Sequence, residues 1–205
     1  MAKLHIGKKL FMSKIQYTKQ RWKGGNLIYP LPALMVSCGN ELEGYNIITV
    51  SWGGTVCTNP PMCSISIRPE RYSYDIIKKS GEFVVNLSTA RLAKATDWCG
   101  VKSGRDINKF EALDLTPMKA SKIDAPLIME SPVNLECKVK QIIPLGSHDL
   151  FLSEILAVNV NTDLIDPKTE KLMLYKAGLI HYSHGFYYRQ GEKIGQFGFS
   201  VKKKK

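Results

Sequence analysis

Short runs of apolar and β-branched residues, each bounded by glycine, proline or asparagine, constrain the fold of this chain more than any other feature. Runs of this length are typical of β-strands, and several alternate between apolar and polar residues with the two-residue period of a strand. The pattern predicts strands at residues 33–38, 46–52, 62–67, 82–87, 134–143, 149–160 and 185–188.

The segments between these runs favour tight turns rather than long crossovers. Residues 59–61, Asn-Pro-Pro, form a strong break before the strand at 62–67. Residues 146–148, Gly-Ser-His, are short enough to join the strands at 134–143 and 149–160 as a hairpin. Antiparallel pairing of neighbouring strands is therefore expected.

Two segments have apolar residues at helical spacing. Residues 72–80 carry Ile76 and Ile77 on one side and precede Gly81, a typical helix stop. Residues 91–98 form the second predicted helix. Because strands and helices do not alternate regularly, the chain is predicted to be mainly β, an antiparallel barrel with a few peripheral helices.

The net charge of +11 lies at the ends of the chain. Residues 1–28 contain seven Lys or Arg and no acid, residues 202–205 are four lysines, and the rest has 18 basic and 18 acidic residues. We therefore predict a basic N-terminal arm (1–28), one domain (29–201) and a lysine tail (202–205). Basic ends hold polyanions weakly, whereas a specific nucleic-acid site places its charge on the folded face, so no specific nucleic-acid partner is expected.

The cysteines indicate a reducing compartment. Cys38, Cys57, Cys63, Cys99 and Cys137 are odd in number and form no CxxC pair, unlike a disulfide framework. The N-terminus lacks the apolar stretch of a secretory signal, and no run of ~18 apolar residues could span a membrane. A cytoplasmic protein with no membrane partner is predicted.

Common catalytic motifs are absent from the sequence. It has no GxGxxG, no GxxxxGK[ST] and no GxSxG, so neither a Rossmann fingerprint, nor a P-loop, nor a hydrolase elbow is indicated. His181 and His184 form an HxxH pair, but on a strand they would point to opposite faces. No metal site and no catalytic side chain are predicted.

Polar residues at strand and helix ends are the best candidates for a binding site. Arg68 ends a predicted strand, and Arg71 and Ser73 lie where the first helix begins, a place suited to phosphate. Alternatively, Ser73 caps the helix and the arginines pair with surface acids. The polar residues 103–110 form either part of a site or a solvated loop, and Trp52 is either a site wall or a core residue at a barrel rim.

Taken together, several stretches resemble the flavin reductase-like, FMN-binding split-barrel family, and within it the flavoredoxins. They occur in the family's order between about residues 30 and 200. The stretches are NIITVSW (46–52), NPPMCSISIRPERYS (59–73), EFVVNL (82–87), WCGVKSGRDINKF (98–110), APLIMESPVNLECKV (125–139), GSHDLFLSEI (146–155) and YYRQGEKIGQFG (187–198).

The resemblance implies a six-stranded antiparallel split barrel, usually a homodimer, with FMN in a cleft near the dimer interface. It implies an FMN-dependent oxidoreductase that passes electrons from NADH, NADPH or a protein donor to an acceptor. Two alternatives stay open: a flavin-binding or electron-carrier protein without nicotinamide turnover, and a nucleic-acid-binding barrel suggested by the basic ends.

The resemblance also implies which residues contact FMN. Those beside the isoalloxazine ring are Asn46, Thr49, Val50, Ser51 and Trp52. Those at the ribityl-phosphate end are Ser66, Ile67, Arg68 and Ser73. The others are Asn86, Ser103, Lys109 and His148. Lys109 and His148 are expected to place positive charge near flavin N1 and O2.

Cys57 and Cys63 depart from the family pattern, because many relatives carry small or hydroxylated residues there. Both thiols could be packing residues, since free cysteine is commonly a small buried hydrophobe, or they could lie within reach of the flavin.

Overall fold

The computed structural model describes residues 17–201. Three α-helices lie in this part of the chain: α1 (Tyr72–Ser80), α2 (Ala93–Val101) and α3 (Lys109–Ala112). Its strands are β1 (Leu31–Pro32), β2 (Leu34–Asn40), β3 (Gly44–Val50), β4 (Gly53–Cys57), β5 (Met62–Ile67), β6 (Glu82–Leu87), β7 (Pro117–Met118), β8 (Leu127–Ile128), β9 (Val133–Pro144), β10 (Asp149–Val160), β11 (Ile180–Ser183) and β12 (Phe186–Arg189).

The main sheet has seven strands in the order β3-β2-β6-β9-β10-β5-β4, all antiparallel. Its two edge strands, β3 and β4, are consecutive in the chain and are separated only by Ser51 and Trp52. The sheet must therefore curl until its edges meet, and the link between them is tied to β5, because the Ser66 N–H donates to the Trp52 carbonyl at 2.8 Å. If β3 and β4 are counted as one bent strand, the seven strands become six.

The barrel interior is apolar and is bordered by α1. Phe83, Phe151 and Ile65 are fully buried there. From α1, the Tyr74 ring packs edge-on against Phe151 with ring centroids 5.4 Å apart. The Tyr74 hydroxyl donates to Asp149 Oδ2 at 2.5 Å, which ties α1 to the start of β10.

A second apolar cluster lies on the other face of β2 and β3, under α2 and α3. It contains Met35 and Ile47 from the strands and Leu92, Cys99 and Phe110 from the helical side. Strands β2 and β3 are therefore covered on both faces, which explains why β2 is buried except at its last residue and why the middle of β3 is buried.

Most predicted elements are confirmed. Strands at 62–67, 82–87 and 149–160 and the helix at 72–80 have the predicted bounds, and Gly81 ends that helix with φ 67°. The second helix begins and ends later than predicted, at Ala93–Val101. The strands β1, β4, β7, β8 and β11 and the short helix α3 were not predicted. The mainly antiparallel β fold with a few helices is confirmed.

The ends of the chain add little to this fold. Residues 17–28 contain no helix or strand and are exposed. Residues 1–16 of the basic arm and the lysine tail lie outside the described residues, so the predicted boundaries stay predictions. Within residues 17–201, no helix is both long enough and apolar enough to cross a membrane.

A buried carboxylate fastens the loop before β8 to the barrel. Glu136 on β9 is fully buried and accepts hydrogen bonds from Ser121 N (3.0 Å), Ser121 Oγ (2.9 Å), Lys122 N (2.7 Å) and Asn159 Nδ2 (2.8 Å). Burial alone would raise the pKa of Glu136, but the hydrogen bonds from Ser121, Asn159 and Lys122 outweigh it and lower the pKa.

We predict that Glu136→Gln lowers the free energy of unfolding at pH 7 by about 2–3 kcal/mol, because hydrogen bonds to a charged acceptor are lost inside the protein. A lowered folded-state pKa stabilises the protein above the unfolded pKa of ~4.3, and this contribution is lost as the pH falls through the folded value. The difference between wild type and variant in the free energy of unfolding, measured by urea denaturation, should therefore become smaller as the pH falls into the acid range. The exposed Glu41→Gln is the control; a difference that does not change with pH would contradict the assignment.

Candidate functional site

Two adjoining cavities open where β3, the end of β5, the start of α1 and the loop after α2 meet. We call the first, about 140 Å³ in volume, the basic cavity, and the second, about 240 Å³, the aromatic cavity. Both are lined by Ile48 and Arg71, so they are neighbours. Of the residues predicted from the sequence, the basic cavity contains Asn46, Ser73, Ser103 and Lys109. The aromatic cavity contains Thr49, Val50, Ser51, Trp52, Ser66, Ile67, Arg68 and His148.

The buried floor of the basic cavity joins β3 to α1. Asn46 and Ser73 are both almost fully buried, and Asn46 Nδ2 donates to Ser73 Oγ at 2.7 Å. The residue preceding α1 is Arg71, and no side chain caps the helix. The alternative in which Ser73 caps the helix is therefore wrong. The Ser73 hydroxyl accepts the hydrogen bond from Asn46 instead.

The loop after α2 lies directly against this floor. A Cβ atom at Gly104 would come within 2.0 Å of Asn46 Oδ1, so only glycine allows the loop to approach so closely. Further back, Gly100 on α2 packs against Thr49, whose hydroxyl donates to the Thr96 carbonyl. These contacts hold Ser103 at the edge of the basic cavity.

Lys109 is a buried cation in the basic cavity. Its exposed fraction is 3 %, and its Nζ donates to the Ile47 carbonyl at 2.7 Å and the Cys99 carbonyl at 2.8 Å. Lys109 is the first residue of α3. The preceding residue, Asn108, caps this helix, because its side-chain oxygen accepts a hydrogen bond from Phe110 N. Burial lowers the pKa of Lys109, and within residues 17–201 it has no salt bridge to a carboxylate. An anion in the cavity would supply the missing negative charge.

Aromatic rings form one wall of the aromatic cavity. Trp52, which follows β3, packs against His148 with ring centroids 4.5 Å apart, and His148 Nδ1 lies 2.9 Å from Ser147 Oγ. Burial lowers the pKa of His148, and the nearby Arg68 and Arg71 lower it further while Glu70 raises it. Burial and the two arginines therefore favour the neutral form of the His148 imidazole, so its surroundings do not reinforce the positive charge expected of it.

One arginine of the site is partly engaged by an acid. Arg68 Nε lies 2.6 Å from Glu70 Oε1. The Arg68 side chain is 50% exposed and the Glu70 side chain 59% exposed. The alternative that surface acids take the arginines is therefore correct for Arg68, although the bond uses only one of its three nitrogens. No salt bridge within residues 17–201 pairs Arg71 with a carboxylate.

The structure does not bring Asn86 to either cavity. It lies on β6, in the middle of the sheet, and is fully buried. Its Nδ2 donates to the Met35 carbonyl (3.0 Å) and Ser37 Oγ (2.9 Å), and its Oδ1 accepts from Ile128 N (3.0 Å) and Asn134 Nδ2 (2.7 Å). Through these hydrogen bonds the side-chain amide of Asn86 connects β2, β8 and β9.

The cysteines that depart from the family pattern do not line the cavities either. Cys63 is buried in the barrel with its Sγ 3.6 Å from Cys137 Sγ, and Cys57 is half-buried on β4.

No group of three or more possible metal ligands occurs among the described residues. His181 of the HxxH pair stacks on Tyr188.

Several lining residues were missed by the sequence reasoning. Most belong to stretches already singled out, so their closeness to a predicted residue was the only available signal. They are Glu70, Tyr72, Cys99, Gly100, Lys102, Gly104 and Arg105 in the basic cavity, Tyr182 in the aromatic cavity, and Ile48 in both.

Comparison with known proteins gives a family match and structural neighbours. The sequence model of the flavin reductase like domain matches residues 26–188. An uncharacterised protein of Archaeoglobus fulgidus is 35% identical over 143 residues, 70% of this chain and 80% of the relative. The structure of flavoredoxin from Desulfovibrio vulgaris (Miyazaki F) superimposes with a TM-score of 0.83 at 27% identity, covering 90% of this chain and 100% of that chain. A protein named FMN reductase (NADH) from Serratia proteamaculans is 23% identical over 109 residues, 53% of this chain and 60% of the relative.

We predict that Asn86→Ala lowers the free energy of unfolding by about 2–4 kcal/mol, because it leaves several buried polar groups without partners. Chemical denaturation followed by tryptophan fluorescence measures this loss. Ser103→Ala, at the edge of the basic cavity, is the comparison variant and should change stability by less than about 0.5 kcal/mol. If the Asn86→Ala variant were as stable as the wild type, the hydrogen bonds of the Asn86 amide would not be what holds β2, β8 and β9 together.

Proposed function

The chain belongs to the flavin reductase-like domain family, and from this premise we propose that it binds FMN across the two cavities and acts as an oxidoreductase. One observation carries the proposal: a basic cavity and an aromatic cavity adjoin at Ile48 and Arg71. FMN has the same two parts, a phosphate dianion at one end and a large apolar ring with a polar edge at the other. The flavoredoxin likeness in structure supports the same assignment.

We assign the phosphate of FMN to the basic cavity. Lys109, Arg71, Ser73 and Ser103 offer two cations and two hydroxyl groups there. Burying a cation without a counter-charge costs several kcal/mol, and the carbonyl groups that Lys109 contacts offset only part of that cost. A phosphate dianion restores the balance, and the N-terminus of α1 adds the positive end of its dipole.

We assign the isoalloxazine ring to the aromatic cavity. Trp52 provides an apolar wall, and residues 49–51 provide peptide groups for the polar edge of the ring. Ser66, Ile67 and Arg68 at the end of β5 are assigned to the ribityl chain, as the resemblance implies. The positive charge that would stabilise a reduced, anionic ring comes from Arg68 and Arg71, which line the aromatic cavity, and at longer range from Lys109 in the adjoining basic cavity.

When bound, FMN would supply the redox chemistry by which electrons pass from a nicotinamide or protein donor to an acceptor. The residues of this chain bind and orient the reactants, and no side chain needs to act as acid or base in hydride transfer. An NAD(P)H-dependent flavin reductase is the activity we propose, and the Serratia proteamaculans relative named FMN reductase (NADH) supports it. An electron carrier without nicotinamide turnover is the alternative.

We also propose that the chain forms a homodimer. Large apolar side chains at both ends of the described chain are exposed: Ile28 by 83%, Ile194 by 95% and Phe197 by 103%. Apolar residues this exposed in one copy are suited to packing against a second.

The proposed function is tested by the colour and reactivity of the purified protein. We expect a yellow protein that takes up FMN at micromolar concentration and whose flavin absorbance bleaches within seconds of anaerobic mixing with NADH or NADPH. Bound FMN that bleaches only with a protein donor would identify the carrier instead. A colourless protein that takes up no FMN would overturn the proposal.

We predict that Lys109→Met, which keeps the bulk of the side chain and removes its charge, weakens FMN binding at least about tenfold, or ~1.4 kcal/mol. It should also lower the reduction potential of the bound flavin, because a nearby cation stabilises the anionic reduced form. Fluorescence titration measures the affinity, and a dye-coupled redox titration measures the potential. Lys94→Met, on the exposed side of α2, is the control. Unchanged affinity and potential would remove Lys109 from the site.

A further inference from the structure

The basic cavity contains more positive charge than one phosphate can neutralise. Arg71, Lys102, Arg105 and Lys109 line it, against the single carboxylate of Glu70. That carboxylate is already paired with Arg68, and within residues 17–201 no salt bridge pairs any of the four cations. A phosphate monoester carries about −1.5 to −2 at pH 7, so roughly two positive charges remain.

The four cations lie at two depths. Lys109 is only 3 % exposed, at the level of the buried Asn46 and Ser73, whereas Arg71, Lys102 and Arg105 are exposed. Of these three, only Arg71 also lines the aromatic cavity. We call Lys102 and Arg105 the rim pair. A phosphate held at the buried level leaves the rim pair facing solvent beside it, where a second anionic group has access.

Arg105 is held in one orientation before any ligand binds. Its Nη1 donates to the Glu70 carbonyl at 3.3 Å, and its guanidinium carbon lies 5.7 Å from the centroid of the Tyr72 ring. The backbone N–H of Arg105 donates to Ser103 Oγ at 3.2 Å, which orders the loop that carries the side chain. The remaining N–H groups of the guanidinium are available to a ligand, and an ordered arginine loses less entropy on binding than a free one.

We propose that the rim pair, Lys102 and Arg105, binds the 2′-phosphate of NADPH, so that this chain selects NADPH over NADH. The inference rests on the proposed function, because it names the electron donor for the same site. Arginine pairs with phosphate through two parallel hydrogen bonds and stacks on flat rings, and an arginine accommodates the 2′-phosphate in other dinucleotide sites. The 2′-phosphate makes and breaks no bond; its role is recognition.

The test is a calorimetric titration of the FMN-loaded full chain with 2′,5′-ADP and with 5′-AMP, which differ by the 2′-phosphate. We expect 2′,5′-ADP to bind at least about tenfold more tightly. Arg105→Ala and Lys102→Ala should each remove most of this difference, Arg105→Lys should restore part of it, and Lys94→Ala should leave it intact. Higher salt should weaken 2′,5′-ADP binding more than 5′-AMP binding.

Kinetics provide an independent measurement. The ratio of kcat/KM for NADPH to that for NADH should fall about tenfold in Arg105→Ala, with the NADH value changing less than about twofold. Equal binding of the two nucleotides, or equal loss for both donors, would overturn the inference. A weakening of FMN binding itself in Arg105→Ala would also overturn it, because the rim pair would then belong to the FMN phosphate.

Failure of this inference and failure of the proposed function give different results. If the chain takes up no FMN, the proposed function is wrong. If FMN is bound and reduced but the 2′-phosphate adds nothing to affinity, only the assignment of the rim pair is wrong.

Discussion

The barrel closes where β3 passes into β4, and the rest of the structure depends on that closure. Two consecutive strands occupy opposite edges of the sheet, so the bend at Ser51 and Trp52 brings the edges together. Glycine is needed just after the bend, because a Cβ atom at Gly53 would come within 2.9 Å of the Ser64 carbonyl oxygen. The same bend places Trp52 beside the end of β5, and so creates the aromatic cavity.

Much of the fold and part of the site could be predicted because the signals are local. Alternation at 62–67 and helical spacing with a glycine stop at 72–80 depend only on neighbouring residues. The family resemblance and the split-barrel fold are confirmed by the match over residues 26–188 and by the flavoredoxin structure. Strand β4 was missed because GGTVC begins with two glycines, which are depleted in strands, and leaves only three residues with strand preference.

The parts that could not be predicted depend on contacts between distant segments. Asn86 was predicted to bind FMN because it is a polar residue near a strand end, and nothing local shows that β6 is central and buries its amide. Similarly, Gly104 and Arg105 adjoin Asn46 and Tyr72 only because the loop after α2 returns to the start of α1. Sequence spacing carries no information about that return.

The net charge of the domain likewise does not show where its charged residues lie. The 18 basic and 18 acidic residues between 29 and 201 cancel, yet four cations gather around one small cavity with a single carboxylate. Because Glu70 is the single acid among the residues that line this cavity, a domain without net charge still carries a strongly positive site. The division into two cavities then separates two properties: charge in the basic cavity governs which phosphate groups are held, and the rings and peptide groups of the aromatic cavity set the environment of the flavin ring. Arg71 lines both cavities, and for that reason a change there should alter both properties together.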